Sequence, residues 1–109
     1  MIIEFYTPSR EISEPLVASV RNAIMHQHKL HSEVSKAEVS FTQRKKIVTT
    51  EKICEIRFVI SGRVNIVTGT GDRYDKAVPK ALQKLDDAID LYFKNQPASI
   101  QSAPVAAET

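Results

Sequence analysis

The sequence predicts an α+β domain: a two-layer sandwich of order β-α-β-β-β-α, with a four-stranded sheet and both helices on one of its faces. Three observations predict it. Apolar residues alternate at period two in four short segments. They recur at helical spacing in two longer ones. The last three strand-like segments follow one another with polar connections and no helix between them. Strands joined that way form hairpins, and two amphipathic helices must bury their stripes against a common sheet. The first strand is set apart by a helix, so it enters through a right-handed crossover, parallel to a neighbour.

Ile2 to Tyr6 is the first strand, with Ile3 and Phe5 on one face. Thr7-Pro8-Ser9 breaks it. Ser13 is placed as the N-cap of a helix whose first turn holds Glu14 and Pro15, where a missing N–H is harmless. Leu16, Val17, Val20, Ala23 and Ile24 form its apolar stripe, which fades near Leu30. Val34 to Arg44 is the second strand, with Ala37, Val39 and Phe41 facing one way and Lys36, Glu38, Ser40 and Thr42 the other. That pattern fits a sheet with one covered and one wet face. Arg44 to Lys52 reads as a long, basic hairpin loop. Ile53 to Ile60 is the third strand, with Cys54, Ile56, Phe58 and Ile60 on the covered face. Ser61-Gly62 supplies a tight turn, since glycine accepts positive φ. Val64 to Thr68 is the fourth strand. Asp72 is the expected cap of a second helix, whose stripe runs Tyr74, Ala77, Val78, Ala81, Leu82, Leu85, Ala88, Ile89, Tyr92. Pro79 inside it predicts a kink or a looser first turn. The folded domain is expected over 1–94, and the Ala-, Pro- and Ser-rich segment 95–109 is expected to be a disordered tail.

The chain has 109 residues, enough for one domain, and a net charge of +2. The distribution of charge says more than the total. Between Lys36 and Lys84 stand eleven basic and five acidic side chains, a local balance of +6. An anionic partner fits that balance. The single cysteine, Cys54, excludes an internal disulfide framework and a cysteine-built metal site. The reading is a cytoplasmic protein without a membrane segment.

Two basic groups stand out. Arg73, Lys76, Lys80 and Lys84 fall in one sector of the second helix, beside its apolar stripe. Like charges four apart repel on a helix, and such a row, which shares its sector with Asp87, is either a solvated face or a surface that meets an anion. Arg44, Lys45 and Lys46 form the second group, with Lys52 across the loop. Two patches on one small domain suit a folded RNA read by shape and phosphate. Tyr6 is the main exposed aromatic expected, so base stacking is disfavoured. His26 and His28 diverge by about 200° on a helix, and His28 with His31 makes too few ligands, so no metal is expected. Thr68-Gly69-Thr70-Gly71-Asp72 lacks the third glycine of the dinucleotide-binding pattern and the Gly-Lys-Ser/Thr ending of the other phosphate loop, and reads as a strand-to-helix turn. No acid pair or triad presents itself, so neither catalysis nor a cofactor is expected.

Gly71-Asp72-Arg73-Tyr74-Asp75-Lys76-Ala77, following Ser61-Gly62 and a short strand, resembles the "Gly, short strand, Asp-x-Tyr, helix" signature of the ribosome hibernation promoting factor family. The likeness continues into Ala81-Leu82-Gln83-Lys84-Leu85-Asp86 and spans Met1 to about Lys94. It implies a βαβββα fold similar to double-stranded RNA-binding domains. It further implies binding in the decoding region of the small ribosomal subunit through basic contacts to rRNA, blocking translation during stress or stationary phase. The expected partner is that subunit, bound by a monomer, with no DNA. The expected RNA contacts are Arg44, Lys45, Lys46, Arg73, Lys76, Lys80 and Lys84. The chain departs from the family at Pro79 and at Asp86-Asp87-Ala88-Ile89-Asp90, where members carry a basic helix end. Length also separates it from long members, which add a dimerising domain. The alternative is a protein-interaction module that regulates transcription, using Ile53, Val59 and Val67 on the wet sheet face.

Overall fold

The computed structural model describes residues 1–8 and 10–94. The tail expected over 95–109 lies outside the described residues. In chain order the elements are β1 (Ile2–Tyr6), α1 (Glu14–Leu30), β2 (Val34–Lys45), β3 (Thr50–Ile60), β4 (Arg63–Gly71) and α2 (Tyr74–Lys94). The sheet order is β1-β2-β3-β4. β1 lies parallel to β2 in the register Ile3↔Ala37 and Phe5↔Val39, and the other two pairs are antiparallel hairpins. The α+β arrangement is the one the sequence predicts.

Local chemistry explains the ends of α1. Ser13 sits in extended backbone and its hydroxyl accepts from Leu16 N at 3.3 Å. Glu14 and Pro15 fill the first turn. The helix closes at His31, whose N–H donates to Gln27 O. Val20 and Ile24 are fully buried and Leu16 packs beside them. α2 packs chiefly on β4 and β3, α1 on β2, and the helices touch each other.

The core is the set of residues that alternation places on the helix side: Ala37, Val39 and Phe41 from β2, and Cys54, Ile56, Phe58 and Ile60 from β3. From α2 come Tyr74, Ala77, Val78, Ala81, Leu85 and Ile89. Burial pushes the Cys54 thiol up to about 12, so it stays protonated at neutral pH and serves as packing. Gly69 on β4 is required by α2, because a Cβ there would collide with the backbone of Ala77 and Ala81. That close approach fixes the helix over the sheet.

Four expectations need correction, besides the end of β4, which stays paired with β3 as far as Gly71 through the segment read as a turn. The basic connection is not a loop from Arg44 to Lys52. β2 and β3 stay paired through Arg44↔Glu51 and Lys45↔Thr50, leaving only residues 46–49 outside the strands. Cross-strand pairing of Arg44 with Glu51 carries the ladder outward where the polar composition suggested a break. Second, α2 opens at Tyr74, and the carbonyl that starts it belongs to Arg73, which accepts from Ala77 N at 3.0 Å. Asp72 stands one residue too early to cap it and pairs with Lys76 at 3.5 Å. Third, Val67 lies opposite Ile56 and faces the core. The wet-face apolar residues of β4 are Val64 and Ile66. Fourth, Lys52 is buried on the covered side instead of lining a loop. Its ammonium donates to Gln43 Oε1 at 2.7 Å, pairs with Glu11 at 3.1 Å and lies 5.4 Å from the Tyr74 ring centroid. It ties the segment before α1 to the sheet. Pro79 sits inside α2, which is assigned as one helix from Tyr74 to Lys94, on its exposed side.

Candidate nucleic-acid interface

Two elements bring the basic side chains together. The first is the outer end of the β2–β3 hairpin. β4 pairs with β3 only as far as Lys52↔Gly71. From Glu51 outward the sheet is therefore a two-stranded ribbon, closed where Lys46 N donates to Thr49 O at 2.7 Å. Arg44, Lys45 and Lys46 lie on this ribbon, all exposed. Glu51 is the one carboxylate within reach of two of them, at 3.4 Å from both Arg44 and Lys46. Shared between two cations, it leaves the ribbon net positive, and Lys45 makes no ion pair among the described residues.

The second element is the N-terminal half of α2. Tyr74 anchors it, buried edge-on against Phe41 and donating its hydroxyl to Thr42 O at 2.9 Å. Burial raises the Tyr74 phenol above its usual range, with the Lys52 ammonium opposing, so it remains a donor. With Tyr74 and the Gly69 contact fixing azimuth, Lys76, Lys80 and Lys84 project into solvent. Among the described residues Lys80 and Lys84 make no ion pair, whereas Lys76 pairs with Asp72.

The two elements meet at an open notch of about 300 Å³ lined by Lys46, Thr49, Thr50, Glu51, Thr70, Gly71, Asp72 and Lys80. A lysine from each element, Lys46 and Lys80, and the threonines beside them are the kinds of group that donate to a phosphate oxygen. Glu51 and Asp72 face the same notch, and Lys46 and Lys76 engage them directly. Not all expected contacts join this surface. Arg73 lines a separate depression with Glu11, Ser13, Leu16, Tyr74 and Asp75, and its Nε lies 3.1 Å from Asp75. Lys84 stands a turn beyond Lys80 and does not line the notch.

Two of the three carboxylates at the acidic end of α2 have local partners. Asp86 turns toward α1, where buried Gln27 donates to it at 2.8 Å. Asp87 accepts from Gln83 at 3.0 Å. Of the histidines, His28 Nδ1 lies 2.6 Å from Val34 O and His31 stacks on Phe93 at 3.9 Å between centroids, so two of them are spent on packing between α1 and its surroundings. No helix among the described residues is long and apolar enough to cross a membrane. Sequence reasoning missed Ile47 and Val48, which stand wholly exposed at the hairpin tip, 104% and 89%. Their signal was the placement of two β-branched residues directly after Arg44-Lys45-Lys46, at the centre of a connection.

No protein-family model and no curated protein matches the sequence. Solved structures do. One is a ribosomal subunit interface protein from Coxiella burnetii, at a TM-score of 0.69 and 18% identity, over 87% of this chain and 100% of that one. Another is the N-terminal domain of Protein Y from Thermus thermophilus, at a TM-score of 0.60 and 15% identity, over 84% of this chain and 94% of that one. At such identities the likeness is one of fold. The chain thus has the βαβββα fold of these two proteins, the fold implied by its sequence resemblance to the ribosome hibernation promoting factors.

Proposed function

We propose that this chain is a ribosome-associated translation inhibitor that occupies the decoding region of the small ribosomal subunit through contacts to rRNA phosphates. The observation that carries this reading is the fold shared with a ribosomal subunit interface protein along 87% of the chain. The charge arrangement supports it. Lys45, Lys80 and Lys84 are exposed cations without ion-pair partners among the described residues, and Lys46 and Lys80 line one open notch together with three threonines. A rigid, preformed basic surface of this kind fits folded RNA by shape and charge, without base-edge readout. Its action is steric: the domain fills space that tRNA and mRNA need and performs no chemistry. It acts as a monomer in the cytoplasm during stress or stationary phase.

The test is co-sedimentation of the full chain with ribosomes and isolated subunits at two salt concentrations, beside Lys76→Gln/Lys80→Gln/Lys84→Gln. With about six phosphate contacts, affinity falls roughly a thousandfold between 50 and 200 mM salt. The expected result is salt-sensitive pelleting with the small subunit that the triple variant strongly weakens. Absence of binding at low salt overturns the reading. It would favour the open sheet face, where Ile2, Val64 and Ile66 are exposed, as a protein-contact surface.

A further inference from the structure

The most exposed apolar side chains of the described residues are neither on the open sheet face nor along a helix. They are Ile47 and Val48, adjacent at the tip of the β2–β3 ribbon. Nothing in the fold calls for them. They touch no core residue, and the four-residue connection is one that Gly, Asn, Asp or Ser would fill more favourably. Neither has positive φ, so the turn asks for no special side chain. β-branched aliphatics held in water at a hairpin tip invite association. A position that breaks local folding rules without a folding benefit is where a contact surface is sought.

The surroundings of the tip identify the contact. Arg44, Lys45 and Lys46 precede it directly, and the lysine-lined notch opens behind it at Thr49 and Thr50. The tip also stands clear of the body: two strand pairs, Arg44↔Glu51 and Lys45↔Thr50, lie beyond the last residue paired with β4. That is roughly 7 Å of ribbon before the turn. An aliphatic wedge behind a cationic collar is suited to RNA, with cations on phosphates and the wedge against the face of an unstacked base or between two bases. We propose that Ile47 and Val48 insert against bases of the small-subunit RNA, giving this protein a salt-independent share of its affinity. The proposal rests on the ribosomal reading above and adds to it an apolar contact that electrostatics does not supply.

Two terms of binding separate in a salt titration. Phosphate contacts set the slope of log affinity against log salt, and an apolar contact shifts the line without tilting it. The full chain, Ile47→Ser/Val48→Ser, Ile47→Leu/Val48→Ile and the triple lysine variant are titrated against purified small subunits at several salt concentrations. Melting temperatures serve as the folding control, since both tip residues are solvent-exposed. The serine variant is expected to bind at least about tenfold more weakly at every salt concentration with an unchanged slope. The Leu/Ile variant is expected to retain affinity. The triple lysine variant is expected to lower the slope by roughly three. Dimethyl sulfate probing of the subunit RNA is expected to show base reactivities altered by the wild type and not by the serine variant.

Equal affinity of wild type and serine variant overturns the wedge while leaving the ribosomal reading intact. A loss of affinity without a tip-dependent change in base reactivity also overturns it, by placing the tip against ribosomal protein. Absence of any subunit binding by the wild type overturns both. Pelleting with phosphatidylglycerol vesicles that requires Ile47 and Val48, with subunit binding indifferent to them, assigns the tip to a membrane surface instead.

Discussion

The two hairpins of the sheet are built on opposite plans. β3 and β4 are joined by Ser61-Gly62, both at positive φ (49° and 80°), so the strands turn within two residues and pair immediately through Ile60↔Arg63. β2 and β3 are joined through residues 46–49, with two aliphatics at the apex and no positive φ. The first turn is determined by backbone geometry and carries little else. The second is undemanding in geometry and loaded with charge and apolar surface. The difference shows where the fold is specified and where it is free: the tight end is committed to folding, and the overhanging end is available for contact.

The largest effect that would break this comparison is on binding. Replacing Lys45, Lys46 and Lys80 by Gln is expected to weaken small-subunit binding by about a hundredfold or more near 0.1 M salt, read by filter binding or sedimentation. A similar loss on changing only Arg63, beside the tight turn, would erase the distinction between the two ends. Next comes Gly69→Ala, which forces a methyl group into the backbone of Ala77 and Ala81. Urea unfolding is expected to show a loss of about 3 kcal/mol. Gly62→Val follows. Space is open around Gly62, so the cost is that of a β-branched residue at φ +80°, about 1–2 kcal/mol by the same measurement. Smallest is Ile47→Ser/Val48→Ser, expected to change stability by no more than about 0.5 kcal/mol. Together the last two variants sharpen the contrast: one turn resists substitution and the other ignores it as far as folding is concerned.

Much of the fold was legible because its determinants are local. Alternation in Ala37-Val39-Phe41 and in Cys54-Ile56-Phe58-Ile60 marked the covered face, and Ser13 with Pro15 marked the start of α1. The errors fell where a tertiary partner overrides local chemistry. Lys52 reads as a surface cation until Glu11, Gln43 and the Tyr74 ring are brought around it by elements far apart in the chain. Val67 was misplaced because Ile66 and Val67 are adjacent and both apolar, and only the register against Ile56 decides which points inward. At the candidate interface, helical spacing located Lys76, Lys80 and Lys84. It could not show that Lys46 and Lys80 would line one notch, or that Arg73 would pair with Asp75 in a separate depression. The acidic end of α2 reads in the sequence as a departure from the family's basic helix end, and only the structure shows that Asp86 is directed to α1 by its hydrogen bond to buried Gln27.

The parallel placement of β1 has a consequence in time. Both hairpins close over a few residues, but Ile2 meets Lys36 only after the whole of α1 has been laid across the sheet. Closing the longer loop costs more entropy, and β1 returns only five residues of pairing for it. The three-stranded meander with α2 is therefore expected to form first and β1 to pair last. The basic ribbon and the lysines of α2 belong to the early part, so the candidate interface is expected to be assembled before the strand that completes the sheet.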